Sequence, residues 1–393
     1  MLPRQPYTRS GTCQVVDLTG HANAGCAHYD QGTGRQRMRY LRSRCFLKQV
    51  LMAGLHPVST QPEQTLCYNA DTYIAKLSLR FIYSLMEIYP TPHNVALIDV
   101  HHLGRPHVIG TFLLLGDEPA LVDPGPASTL AALRAGLRAH GLTVADLRAI
   151  VLTHIHLDHA GATGLLAAEN PHLTIHVHER GAPHLIDPSR LLNSAAQLYA
   201  DRMATLWGDV RPVAPERIRT YTGGETLYLR GHTLRAFDAP GHAKHHLIWF
   251  DETNGTAFVG DNTGVRLPGV RMTRPATPPP DIDLEAWART HDLIERLHPQ
   301  WLCLTHFGAY DDVAFHLADA RLRLRQWAEI VRQSLLAGHD EQTGTAVLEA
   351  ALANEAATLS PAEQLAIIQQ TGPLTLSWRG LARYWQKLGG LAG

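Results

Sequence analysis

The chain has 393 residues, 45% of them apolar and 18% charged, which is enough for one large folded domain or two ordinary ones and argues against global disorder. Its formal net charge of −1 gives no electrostatic reason to expect nucleic acid or an anionic membrane as partner. Charge is uneven along the chain: residues 1–85 hold 10 Lys+Arg against 4 Asp+Glu, and the rest hold 25 against 32.

Residues 1–85 also carry four of the five cysteines (Cys13, Cys26, Cys45, Cys67), leaving only Cys303 later. That distribution argues against a disulfide framework and points to a reducing cytoplasm. No run is apolar and long enough for a membrane-spanning helix, and the N-terminus lacks the layout of a secretory signal. With a basic run from Arg35 to Arg44 and little periodicity, residues 1–85 read as a poorly ordered or non-native extension. A targeting arm is one alternative. A small metal site from Cys13, His21, Cys26 and His28 is another, although its spacing fits no finger pattern.

From Met86 the pattern becomes regular, and residues 86–312 read as one domain. His107–Leu115 and Pro119–Val122 are expected strands around a Gly116-Asp117 turn. Ser128–His140 is an expected helix with Ser128 as N-cap. Ala149–Leu152 is a short buried strand, Gly161–Asn170 a helix, and Leu173–Val177 a strand. Residues 188–208 read as a helical insertion that, with the C-terminal helices, is a candidate wall of a pocket; Leu198, Tyr199 and Trp207 are candidates for an apolar wall, with core packing the first expectation for each. Thr226–Leu229 and Thr233–Phe237 are strands, and His246–Phe250 with Thr256–Val259 is a hairpin. After the rigid run Pro278-Pro279-Pro280 come a helix near Leu284–Leu297 and a strand at Trp301–Leu304. Residues 313–393 read as a helical region, with Leu317, Ala320, Leu324, Trp327, Val331 and Leu335 on one packing stripe.

The chemistry concentrates at strand ends. Residues 153–161 read Thr-His-Ile-His-Leu-Asp-His-Ala-Gly, placing His154, His156, Asp158 and His159 directly after the strand Ala149–Leu152. Imidazole and carboxylate are the usual ligands of zinc and its neighbours. Four further strand-end residues follow the same logic: Asp123, His242, Asp261 and His306. Any one of them alone would be an ordinary structural residue, but the ordered set is improbable by chance.

With these five motifs in order over about residues 90–310, the chain resembles the metallo-β-lactamase fold superfamily. The resemblance implies an α/β fold, an αββα sandwich with a C-terminal helical extension and a metal site at one sheet edge. It also implies two divalent metal ions, zinc first, with iron or manganese compatible with the same ligands. His154, His156 and His242 would hold one, Asp158, His159 and His306 the other, and Asp261 would bridge them. Asp123 would steady the ligands by hydrogen bonds. Independently, seven N/O side chains exceed what one tetrahedral zinc takes, and a carboxylate can bridge where a neutral imidazole cannot.

The run Pro240–His246 resembles that of glyoxalase II-like and lactonase-like hydrolases, in which Lys244 and His246 are candidates to face the substrate. Thr305-His306-Phe307-Gly308 is similar to the last motif of uncharacterised metallo-hydrolases. The leading expectation is a metallo-hydrolase, with Asp158 and Asp261 as its catalytic carboxylates. A metal-bound hydroxide would attack a small ester, thioester or lactone. Alternatives are a mononuclear iron persulfide dioxygenase using His154, His242 and Asp261, a nuclease, and a non-catalytic metal-binding protein. The expected partner is a small-molecule substrate, with no nucleic acid and no membrane, and homodimerisation through the C-terminal helices is an open option.

Overall fold

The computed structural model describes residues 89–370 and 372–389, so the reading of residues 1–85 lies outside the described residues. Two six-stranded sheets form its centre. In the first, β1 (Val95–Asp99), β2 (Gly110–Leu114), β3 (Ala120–Val122), β4 (Ala149–Val151), β5 (Thr174–His178) and β6 (Ile218–Tyr221) lie side by side in sequence order. The second contains β7 (Thr226–Leu229), β8 (His232–Asp238), β9 (Leu247–Asp251) and β10 (Thr256–Phe258), then β13 (Trp301–Leu304) and β14 (Gly308–Tyr310) beyond β10. The short pair β11 (Val265–Arg266) and β12 (Thr273–Arg274) stands apart. Strands β3 to β6 pair in parallel, as do β10 and β13.

Side-chain alternation builds the layers. Along β4, Ala149 and Val151 face the second sheet, packing into a core with Phe112, Trp249 and Phe258, while Ile150 and Leu152 face outward. The outward side is covered by α1 (Leu130–Ala139) and α3 (Thr163–Glu169), through Leu133, Leu137 and Leu166. In the second sheet, Trp249, Phe258 and Cys303 point inward, and Ile248, Ala257, Leu302 and Leu304 point outward against Ile294 of α7 (Leu284–Arg296) and Leu317 of α8 (Val313–Leu336). The result is an αββα sandwich, as the motifs imply.

The helical insertion is α5 (Ser189–Tyr199) and α6 (Met203–Trp207), preceded by the short α4 (Ala182–Ile186). After α8 come α9 (Glu341–Glu355), α10 (Pro361–Gln369) and α11 (Leu374–Lys387), which close a separate apolar cluster around Trp327, Val331 and Leu381. The expected stripe on α8 is buried from Leu317 through Val331, with Leu335 partly buried. Among the described residues no helix is long and apolar enough to cross a membrane.

One local expectation changes, and several short elements had none. Ser128 does not cap α1; its hydroxyl donates to Leu206 O at 2.7 Å, tying the helix start to α6. Leu157–Ala160 forms its own turn of helix, α2, inside the metal motif. Strands β1, β6 and β14 had no expectation, each being a short element whose burial is set by neighbouring strands.

Candidate metal centre

Every candidate ligand sits at or just beyond the C-terminal end of a strand. Asp123 follows β3, His154 and His156 follow β4, and α2 carries Asp158 and His159. His242 follows β8, Asp261 follows β10, and His306 follows β13. The parallel pairing of β3 with β4 and of β10 with β13 brings these ends to one edge of the sandwich. Gly260 permits the last approach: a Cβ there would lie 2.6 Å from both His246 Nε2 and Thr153 Oγ1.

Two clusters meet at Asp261. In the first, His156 Nδ1 lies 3.0 Å from His154 Nε2 and 3.0 Å from His242 Nε2. In the second, Asp158 Oδ2 lies 3.3 Å from His306 Nε2 and 4.0 Å from His159 Nε2. Asp261 stands between them, with Oδ1 3.1 Å from His159 Nε2 and 3.6 Å from His306 Nε2, and Oδ2 3.4 Å from His242 Nε2.

The nitrogens turned away from the centre are already used. His159 Nδ1 donates to Asp123 Oδ2 at 2.8 Å, His242 Nδ1 to Ala276 O at 2.8 Å, and His306 Nδ1 to Val108 O at 2.6 Å. Thr153 Oγ1 gives its proton to Asp123 Oδ2 at 2.6 Å, so its oxygen accepts from His154 Nδ1 at 3.1 Å. These four histidines therefore aim Nε2 inward. Asp123 is fully buried and also accepts from the Thr153 N–H and the Thr305 hydroxyl, joining three motifs through one carboxylate.

This donor set fits cations. His159 Nε2 and Asp261 Oδ1 are buried and meet no hydrogen-bond geometry with any neighbour, which is costly unless an ion satisfies them. Burial, then neighbouring imidazoles, keeps His154 well below its ordinary range, and burial with His242 brings His156 to about 4. The first cluster is thus neutral and ready to ligate. In the second, burial opposes charge on His159, but Asp261, Asp123 and Asp158 hold its pKa well above the ordinary value. Burial likewise works against ionised Asp261, yet His159, His242 and His306 hold it well below the usual carboxylate range.

A cleft of about 250 Å³ opens over His156, Asp158 and Asp261. One face of α5, running Arg190, Leu191, Ser194, Ala195, Leu198 and Tyr199, forms its wall at helical spacing. Ile155, Leu157, His184, Trp207, His245 and the strap Pro278–Asp281 complete it. Leu198, Tyr199 and Trp207, the candidates for an apolar wall, line the cleft because the insertion folds back over the strand ends, and Trp207 is at the same time buried in a small cluster that Tyr199 packs against. His246 does not face the cleft. It is fully buried, stacked 4.8 Å from the His154 ring, with Nδ1 2.9 Å from Asn262 Nδ2. Lys244 points to solvent and pairs with Asp281 at 3.5 Å.

Sequence reasoning missed Thr153 and Thr305, which sit one residue before His154 and His306 and both serve Asp123; the repeated Thr-His pair was the available signal. It also missed His245, Arg190 and the role of the proline run, none of which carries a spacing signature.

Comparison with known proteins bears on the fold and the family. TTHA1429 from Thermus thermophilus, a metallo-beta-lactamase family protein, superposes with a TM-score of 0.57 at 21% identity, over 75% of this chain and 94% of that one. YobT of Bacillus subtilis, an uncharacterised protein, is 33% identical over 120 residues, which are 29% of this chain and 46% of YobT. The thioesterase pkgB of Emericella nidulans is 26% identical over 158 residues, 40% of this chain and 34% of pkgB. The matched regions thus span less than half the length of either relative. The family profile of the metallo-beta-lactamase superfamily matches residues 107–306, from just before β2 to the last candidate ligand, and the chain belongs to that superfamily.

Proposed function

We propose that this protein is a two-metal hydrolase acting on a small carboxylic ester, thioester or lactone. The observation that supports it most is the Asp261 carboxylate, whose Oδ1 faces His159 and His306 while Oδ2 faces His242. His154, His156 and His242 would hold one cation, Asp158, His159 and His306 the other, and Asp261 both. Zinc is the first choice, and iron or manganese suit the same ligands. Such a pair supplies an attacking oxygen near neutral pH and an electrophilic clamp for the substrate carbonyl.

The chain's own groups supply position. Asp158 and Asp261 line the cleft as ionised carboxylates and can accept a hydrogen bond from the attacking water, fixing its direction. Burial, then the charges of Asp158 and Asp261, holds the Tyr199 phenol above its ordinary range, so it meets substrate as a donor. The mostly apolar walls exclude bulk water and suit a small organic substrate.

Membership in a superfamily made up mostly of hydrolases supports an enzyme, and the name thioesterase on pkgB makes thioesters the first class to test. The glyoxalase II-like run Pro240–His246 favours the same class. The test is a panel of aryl esters, N-acetylcysteamine thioesters and lactones offered to zinc-loaded protein. Hydrolysis of at least one class, abolished by chelation and restored by zinc, is expected. A fully loaded protein inert to all three, yet consuming oxygen with a persulfide, would replace this reading with the iron dioxygenase.

A further inference from the structure

The cleft has a chemical polarity of its own. Its metal end is marked by Tyr199, Asp158 and Asp261, and Arg190 lines it from the first turn of α5. Tyr199 lies nine positions after Arg190, about 13.5 Å along the helix axis at 1.5 Å per residue. Between these ends the helix offers Leu191, Ala195 and Leu198, with the prolines of the strap also on the lining.

Charge decides what the far end takes. Asp281 also lines the cleft, but its carboxylate is 3.5 Å from Lys244 Nζ and is offset by it. Arg190 has no ion pair or hydrogen bond among the described residues, whereas Arg134, Arg266, Arg323 and Arg379 each hold a carboxylate. The far wall therefore carries one guanidinium that holds no carboxylate among the described residues; the Asp187 carboxylate beside it is taken up by the Ser189 N–H and hydroxyl at the helix start. A guanidinium binds a carboxylate in bidentate fashion.

We propose that the substrate is a carboxylate-terminated acyl thioester or ester, its apolar chain lying along α5 and its terminal carboxylate held by Arg190. The proposal rests on the hydrolase reading for the scissile bond, but the anion site itself can be measured without turnover.

The test compares the N-acetylcysteamine thioesters of adipic and hexanoic acid on zinc-loaded full-length protein. The two acyl groups share a chain length and differ in the terminal carboxylate. The adipoyl-to-hexanoyl ratio of kcat/KM is expected to favour adipoyl in the wild type and to fall about tenfold in Arg190→Gln, through KM, since Arg190 is exposed and the pair is partly screened. In Arg190→Glu the preference should turn to the 6-aminohexanoyl thioester, a reversal that mere loss of packing would not produce. Calorimetric binding of adipate to the wild type and Arg190→Gln is run alongside. If the thioesters turn over but neither the ratio nor adipate affinity changes in Arg190→Gln, the anion site is refuted and the hydrolase reading stands. If neither thioester turns over while adipate binding depends on Arg190, the anion site stands and the thioesterase reading fails. Absence of turnover together with Arg190-independent adipate binding would refute both.

Discussion

A single carboxylate, Asp123, ties His159, Thr153 and Thr305 together without facing the cleft. Asp123→Asn keeps the shape but removes the charge and one acceptor, so His159 loses the partner that aims its Nε2 inward. Metal affinity is expected to fall about 10- to 100-fold, measured by competition with a chromophoric chelator. An unchanged affinity would mean that His159 is oriented by packing alone. At this scale the seven candidate ligands were legible because each follows a short apolar strand by two to eight residues, and strand ends are where α/β sheets gather chemistry. The buried histidines outside the motifs were not legible. His232 bonds Asp251 at 2.6 Å and His291 bonds Asn262 O at 2.6 Å, partnerships of residues 19 and 29 positions apart that no local pattern announces.

At the scale of elements, the C-terminal helices are more than a cover. Gly380 on α11 packs against the strap: a Cβ there would lie 2.0 Å from Thr277 O and 2.9 Å from the Pro278 carbonyl carbon. The same strap begins beside Ala276, which accepts the His242 hydrogen bond, and ends in the cleft wall. Gly380→Ala must therefore push backbone, at a cost of about 1–3 kcal/mol in stability. Its KM is expected to rise several-fold while metal content stays at the wild-type value. A KM identical to wild type would separate α11 from the cleft. The sequence showed that helices follow residue 313 and which stripe of α8 is buried, since a 3.6-residue period survives any tertiary arrangement. It did not show that α11 meets the proline strap, or which face of α5, Arg190 through Tyr199, lines the cleft, because packing partners far apart in the chain leave no periodic trace. The short strands β1, β6 and β14 were lost for a related reason: three to five residues carry too little alternation to stand out.

For the whole molecule, buried neutral imidazoles set an acid limit. Burial brings His176, His291 and His316 each to about 4, against an ordinary value of 6.5. Between those values the unfolded chain binds protons that the folded chain does not. Stability is therefore full above about pH 6.5 and lost as pH falls toward 4, by up to ~3 kcal/mol for each group. His316→Gln, which replaces an imidazole bonded to Thr263 O, is expected to unfold more easily than wild type at pH 7 and to close that gap by pH 4. Urea denaturation at the two pH values checks it, and parallel curves would show that His316 does not contribute. The same whole-molecule view makes the central claim measurable, because Asp261 links both clusters and its loss should reach each of them. Elemental analysis of purified wild-type protein beside Asp261→Ala is the most direct test. The account predicts about two equivalents of zinc, iron or manganese in the wild type and a clear fall in Asp261→Ala. One equivalent or less in the wild type, or two retained without Asp261, would contradict it.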